Sequence, residues 1–344
     1  MVGTRSRASV ADGDNHAGDT VMDEAGMQTT VFDPLGDLRL RCGAELGSAV
    51  QDFVVCSRSL ARASPVLRVL TYGPFAESRA NQSSASPDKD NEWVIDLPED
   101  DPKPFRDILN IVHGRFNLVP RRLSLAALYD VLALTHKYDM SAVIKPWSDG
   151  WYQNVDTEPN ANDPRLLLVA RELGATQRFA SLVREWAIKS HLNAAGEVVM
   201  EDGQGCNLLS YKYLKPETAA DTIRKRREEL VQYILGCWND TADKLLAANY
   251  LADCRAEYTY LYGLMMRAAK EHKAGKSLLS VPAREWPLSV SDLQAFIHSL
   301  TQSDEYTKKL NSYHSLFSGS PNLIANMKTA VCQLLLIHDL LLLS

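Results

Sequence analysis

Thiols, imidazoles and clustered charges are the groups of this 344-residue chain with the most chemistry to offer, and their spacing limits what that chemistry is. Cys237, Cys254, His272, His298 and His314 are the right types for zinc. Zinc sites, however, bring their ligands in pairs about two to five residues apart, and no two of these lie that close. The spacing therefore predicts buried thiols and no metal. Ala274-Gly275-Lys276-Ser277 ends like a phosphate loop, but Lys270 stands where the first glycine belongs and no strand pattern precedes it. Neither a GxSxG elbow nor an HExxH helix occurs. The expectation is a protein that is not an enzyme and carries no cofactor. An enzyme or zinc protein housed in the C-terminal half is the alternative from another class.

Arg224-Lys225-Arg226-Arg227 is a dense basic run. Such a run contacts phosphate or directs nuclear import, or it is the solvated face of a helix, here flanked by Ile223 and Leu230 and followed by Glu228 and Glu229. A net charge of -6 argues against a broad nucleic-acid surface. Cys42, Cys56, Cys206, Cys237, Cys254 and Cys332 form no CxxC pair, and the stretch MVGTRSRASVADGDNHAGDT has no apolar core of a secretory signal. Both point to reduced thiols inside a cell, in cytoplasm, nucleus or both. The apolar stretch Val331 to Leu343 is far shorter than the ~20 residues a bilayer needs and is interrupted by Gln333, His338 and Asp339, so it reads as a docked terminal helix.

The elements around these groups follow from periodicity. Residues 1–30 are small, polar and mixed in charge, which predicts a disordered arm. Leu38, Leu40 and Cys42 alternate with Arg39 and Arg41 as a half-buried strand, and Gly43 to Gly47 turns it into a second strand at Val50 to Val55. A short helix follows, with Ser57 or Ser59 placed to cap it. Ser64 and Pro65 open another, whose apolar side is Val66, Leu67, Val69 and Leu70. Arg79 to Asn91 is a loop by composition, and Trp93, Ile95 and Leu97 mark a third strand. The acidic run Glu99-Asp100-Asp101 leads into a helix ending near His113-Gly114. Helices over Leu123 to Tyr138 and Met140 to Tyr152 follow, the second with Trp147 and Trp151 on one face.

After a polar break at residues 155–163 the pattern is helical, with segments starting at Leu166 and Phe179. Val198 to Met200 and Asn207 to Tyr213 fit either strand or loop. Helical periodicity resumes at Thr218 to Trp238, Asp240 to His272, Val290 to Thr301 and Leu323 to Leu343.

Four stretches in this order, FDPLGDLRLRCG, FVVCSRSLARASPVLRVLTYGPFAES, WVIDLPEDDPKPFRDILNIVHG and LYDVLALTHKYDMSAVIKPW, resemble the BTB/POZ domain in its divergent fungal form. The resemblance covers residues 31–155, with a helix pair at 156–195 like that following the domain in fungal members, and leaves 196–344 as a mostly helical C-terminal domain. It implies an α+β fold, a small sheet covered by helices, and a protein-interaction module. In animal members an acid at the place of Asp37 sits near the dimer interface, in a charged pocket with a basic residue whose position Ser57 holds here. Cys56 stands where a histidine commonly precedes that residue. The resemblance thus implies a homodimer, while the missing basic partner speaks against it, and both stay open. Phe75-Ala76-Glu77 resembles the hydrophobic-x-Glu motif through which some BTB adaptors grip a cullin scaffold. Phe75 would fill a pocket and Glu77 would make a polar contact at its rim.

The expected function is an adaptor or scaffold whose partners are proteins, recruiting clients to a cullin-type ubiquitin ligase. The alternative is a nuclear scaffold or transcription-associated factor without a ligase link.

Overall fold

The computed structural model describes residues 20–22, 28–47, 49–82, 92–157, 160–200, 207–247, 255–271 and 281–301. The fold is α+β, with a small mixed sheet and many helices, and the chain divides between Asp156 and Thr157 into two compact units.

In the first unit, β1 (Thr20–Met22), β2 (Gln28–Val31), β3 (Leu38–Cys42), β4 (Gln51–Val55) and β5 (Val94–Leu97) form one sheet in the order β1-β2-β4-β3-β5. β3 and β4 are the antiparallel pair that the alternation predicts, with Leu40 opposite Phe53. Leu38, Leu40 and Cys42 are buried while Arg39 and Arg41 are only half-buried, as befits a sheet packed more tightly on one face. On the other face buried Asp52 takes charge-assisted bonds from Arg39 Nη1 at 3.2 Å and Arg41 Nε at 3.1 Å. Within residues 1–30, expected to be a disordered arm, Thr20–Met22 and residues 28–30 are strand, β2 lying parallel to β4 with Thr30 opposite Phe53, while residues 1–19 and 23–27 lie outside the described residues. The edge of β4 offers unpaired backbone groups, and β-branched Thr29, Thr30 and Val31 can satisfy them without an apolar stretch.

Helices cover the apolar face. α1 (Ser57–Ala63) is followed by α2 (Pro65–Tyr72), where Ser64 Oγ accepts from Leu67 N at 2.9 Å as its sequence predicts. α3 (Arg79–Gln82) is a single turn within the stretch expected to be loop. α4 (Pro102–Val112) is capped by Asp101, which accepts from Lys103 N at 2.8 Å, and Gly114 beyond its end adopts φ 71°. Asp100, from the same acidic run, instead turns inward and accepts from Lys137 Nζ at 2.6 Å and from the Tyr138 hydroxyl. α5 (Leu125–Lys137) is capped by Ser124. α6 (Lys145–Val155) starts later than the sequence predicts, after a 3-10 turn at Ser141–Ile144, because Pro146 has no N–H with which to continue an α-helix from Met140. Phe53 stacks on Phe105 at 6.4 Å and Phe105 meets Tyr138 edge-on at 5.7 Å, which ties sheet, α4 and the end of α5 into one core.

The described residues of the second unit are mostly helical. α7 (Pro164–Glu172) is capped by Asp163, and α8 (Thr176–Lys189) runs into β6 (His191–Leu192), which pairs antiparallel with β7 (Val198–Val199). Asn207 bridges to Val199 ahead of a 3-10 turn at Leu208–Ser210. α9 (Pro216–Ala247) is one helix of 32 residues where the sequence suggested a break after Trp238. Neither Asn239 nor Asp240 removes a backbone donor, and Trp238, Thr241, Ala242 and Leu245 continue one buried face across the expected break. α10 (Arg255–Glu271) and α11 (Val290–Thr301) follow. The helix expected at Leu323 to Leu343 and the AGKS fragment lie outside the described residues. Among the described residues no helix is long and apolar enough to cross a membrane.

Candidate functional site

A turn at Asp33 to Gly36 fixes where Asp37 starts β3. Gly36 N donates to Asp33 O at 2.9 Å, and a Cβ built on Gly36 would meet Asp33 O and Val55 O at 2.9 Å, so only glycine fits the close approach. Asp37 then gathers three donors. Ser57 N reaches Oδ1 at 2.9 Å, while the Ser57 hydroxyl and Arg79 Nη1 each reach Oδ2 at 2.8 Å. Burial by itself would raise the pKa of this carboxyl, but the Ser57 backbone and hydroxyl bonds together with the Arg79 charge outweigh it and hold it below the usual value. The Ser57 oxygen also lies 2.5 Å from the Tyr72 hydroxyl at the end of α2.

The network continues toward the turn that follows α2. The Arg79 guanidinium sits 5.7 Å over the Trp93 ring, and Tyr72 meets the same ring edge-on at 6.2 Å. Trp93 Nε1 donates to Glu77 O at 2.8 Å, and Asn81 Nδ2 donates to Phe75 O at 2.7 Å. The backbone of residues 75–77 is thus anchored at both ends, while the side chains of Phe75 and Glu77 are exposed. Among the described residues the Glu77 carboxylate has no hydrogen-bond or ion-pair partner. Gly73 leaves no room for a Cβ, which would lie 2.3 Å from Val69 O, so the chain can turn tightly from α2 toward Phe75. Val66 (42% exposed), Val69 (45%), Tyr72 (42%) and Phe75 (49%) leave the outer side of α2 and its turn apolar and open to solvent.

Both candidate dimer residues belong to this network. Ser57, a candidate dimer contact, is fully buried within its own chain, with its hydroxyl bonded to Asp37 and Tyr72. Asp37 keeps about a third of its side chain exposed. Its basic partner comes from α3, as Arg79, and not from the strand-to-helix turn. Forty-two residues of separation and a loop-like composition hid that pairing from sequence reading.

The basic run on α9 does not form a four-residue patch. Arg224 pairs with Asp221 at 2.9 Å and Arg226 with Glu229 at 3.3 Å, both at the surface, and Lys225 is exposed. Arg227 points inward, donating from Nε to Ser190 O at 3.3 Å and from Nη2 to Trp286 O at 2.5 Å and to Leu288 O. Burial lowers its pKa to about 10. The helical period decides this: residues 223, 227, 230, 231 and 234 share the buried side of α9, and a guanidinium there finds the carbonyl that ends α8. Of the zinc candidates, Cys237 lies half-buried on α9 without a disulfide; Cys254, His272 and His314 lie outside the described residues, and nothing is described of the His298 side chain. Among the described residues no group of three or more His, Cys, Asp or Glu could hold a metal ion.

Compared with known proteins, the chain matches no family model, and no curated protein is significantly similar to it.

Proposed function

We propose that this protein is an interaction module of the BTB/POZ type, an adaptor or scaffold that works inside the cell, in cytoplasm or nucleus, by holding protein partners together. The observation that carries the proposal is the exposed apolar side of α2 and its turn, ending at Phe75 on a backbone held by Trp93 and Asn81. Docking on a partner would bury the remaining half of the Phe75 side chain. That is about 100 Å² of apolar surface, worth roughly 2 to 3 kcal/mol, the size of a hot-spot contact. Little ordering cost opposes it, because the turn is already fixed. Glu77, exposed and uncommitted beside it, supplies the polar rim.

A cullin scaffold is the partner that the Phe75-Ala76-Glu77 motif favours, and clients would then engage the second unit. Self-association through the exposed edge of Asp37 is a lesser contact, since Ser57 and Arg79 already satisfy its carboxylate within one chain. The nuclear-scaffold alternative loses support with Arg227 buried. Titration of the full chain with a purified cullin N-terminal domain tests the proposal, and folded protein that fails to bind removes the ligase adaptor.

A further inference from the structure

A second exposed aromatic surface lies where the connection between α4 and α5 meets α6. The 3-10 turn Phe116–Leu118 places the Phe116 ring 5.6 Å from Trp147, and Pro120 O accepts from Trp151 Nε1 at 2.7 Å one helical turn further along α6. Trp151 and Val119 are buried and pin the connection to the helix. Phe116 remains 58% exposed, and Trp147 is half-buried beneath it. Arg121 and Arg122 follow directly, both exposed, and among the described residues neither guanidinium has a hydrogen-bond or ion-pair partner. Asp149, the nearest acid in sequence on α6, is two residues from Trp147 and so projects from about the opposite side of the helix.

We propose that Phe116, Trp147, Arg121 and Arg122 form a docking surface for an extended acidic segment of a partner protein, one that carries a bulky apolar side chain beside Asp or Glu. The aromatic pair offers a rigid apolar seat, and two uncommitted guanidinium forks match carboxylates in both charge and geometry. Aromatic residues and arginine are the types in which interface hot spots concentrate. Two cations are too few for the continuous phosphate backbone of a nucleic acid, which favours a short acidic peptide. The surface is independent of Phe75 and stands or falls apart from the cullin reading.

The test is fluorescence anisotropy on the full chain with a labelled 15-residue probe of alternating Glu and Asp around a central Phe-Leu. A Lys-for-acid version of the probe and a single-stranded oligonucleotide of equal length serve as comparisons. The acidic probe should bind saturably, and the double variant Arg121→Glu/Arg122→Glu and the single variant Phe116→Ser should each weaken it about tenfold or more while circular dichroism stays that of the parent. Because both arginines are exposed and neither has a partner among the described residues, the double variant keeps the fold intact. Arg121→Lys/Arg122→Lys should lie between, keeping the charge and losing the fork. No binding of the acidic probe, equal binding of the Lys version, tighter binding of the oligonucleotide or indifference to all three variants would overturn the proposal.

Discussion

Asp37→Ala removes the acceptor at which α1, β3 and α3 meet, and its cost follows from what is left behind. Ser57 N, in a fully buried residue, loses its acceptor at 2.9 Å, which costs about 1 to 3 kcal/mol. The Ser57 hydroxyl loses a charged acceptor but keeps Tyr72, so it adds less. Arg79 is more than half exposed, and its ion pair with Asp37 adds about 1 kcal/mol at most. The sum is about 3 kcal/mol for Asp37→Ala against about 1 kcal/mol for Arg79→Met, the latter including loss of the contact over Trp93. Urea unfolding at pH 7 measures both, together with the double variant. The pairwise coupling should be no more than about 1 kcal/mol. The Asp37 contribution is fully present above the ordinary carboxyl pKa of 3.8 and is lost as pH falls through the lowered folded value, so the difference between parent and variant should narrow only below about pH 4. A loss under about 0.5 kcal/mol for Asp37→Ala, or an equal loss for Arg79→Met, would refute the claim that the stranded Ser57 N–H accounts for most of the cost.

Arg227→Met removes the buried donor to the carbonyls of Ser190, Trp286 and Leu288 and should destabilise the protein by about 2 to 3 kcal/mol in urea, whereas Arg224→Ala and Arg226→Ala, which break surface pairs, should each stay within about 0.5 kcal/mol. His113 Nε2 accepts from Cys56 N at 3.1 Å while its Nδ1–H donates to Leu109 O at 3.0 Å, a neutral tautomer. Burial lowers its pKa, so the stability it contributes is complete above the ordinary value of 6.5 and is lost as pH falls through the lowered one. Thermal midpoints from pH 7.5 to 5 should drop less in His113→Gln than in the parent. Asp107 has its pKa pushed up to about 7 by burial, which makes its charge a cost that appears as pH rises from 3.8 to about 7. Asp107→Asn should therefore stabilise the protein at pH 8, by less than about 4 kcal/mol because the side chain is partly exposed, and have little effect at pH 4.

What the sequence made legible was local. Alternation placed β3, β4 and β5, and the Ser64-Pro65 pair placed the start of α2, because a strand's period and a cap's chemistry are written within a few residues. What it hid was long-range or carried by the backbone. β2 joins β4 through main-chain bonds that polar residues make as well as apolar ones, so the composition of residues 1–30 gave no sign of a strand. Arg79 and Arg227 each reach across tens of residues to a partner, and a long cationic side chain looks the same in sequence whether it meets water, Asp37 or three carbonyls. Within the candidate site, Phe75 and Glu77 could be named from the sequence, but Tyr72, Arg79 and Trp93, which hold their turn, could not.

The most direct test of the account is calorimetric titration of the full chain with a purified cullin N-terminal domain, alongside Phe75→Ala and Glu77→Ala. Phe75 is half exposed, so its truncation should leave the fold intact while removing about 2 kcal/mol or more of binding, roughly thirtyfold in affinity, with a smaller loss for Glu77→Ala. Binding by the parent that both variants retain at full strength, or no binding by the folded parent, would contradict the assignment of the α2 turn as the cullin-docking surface.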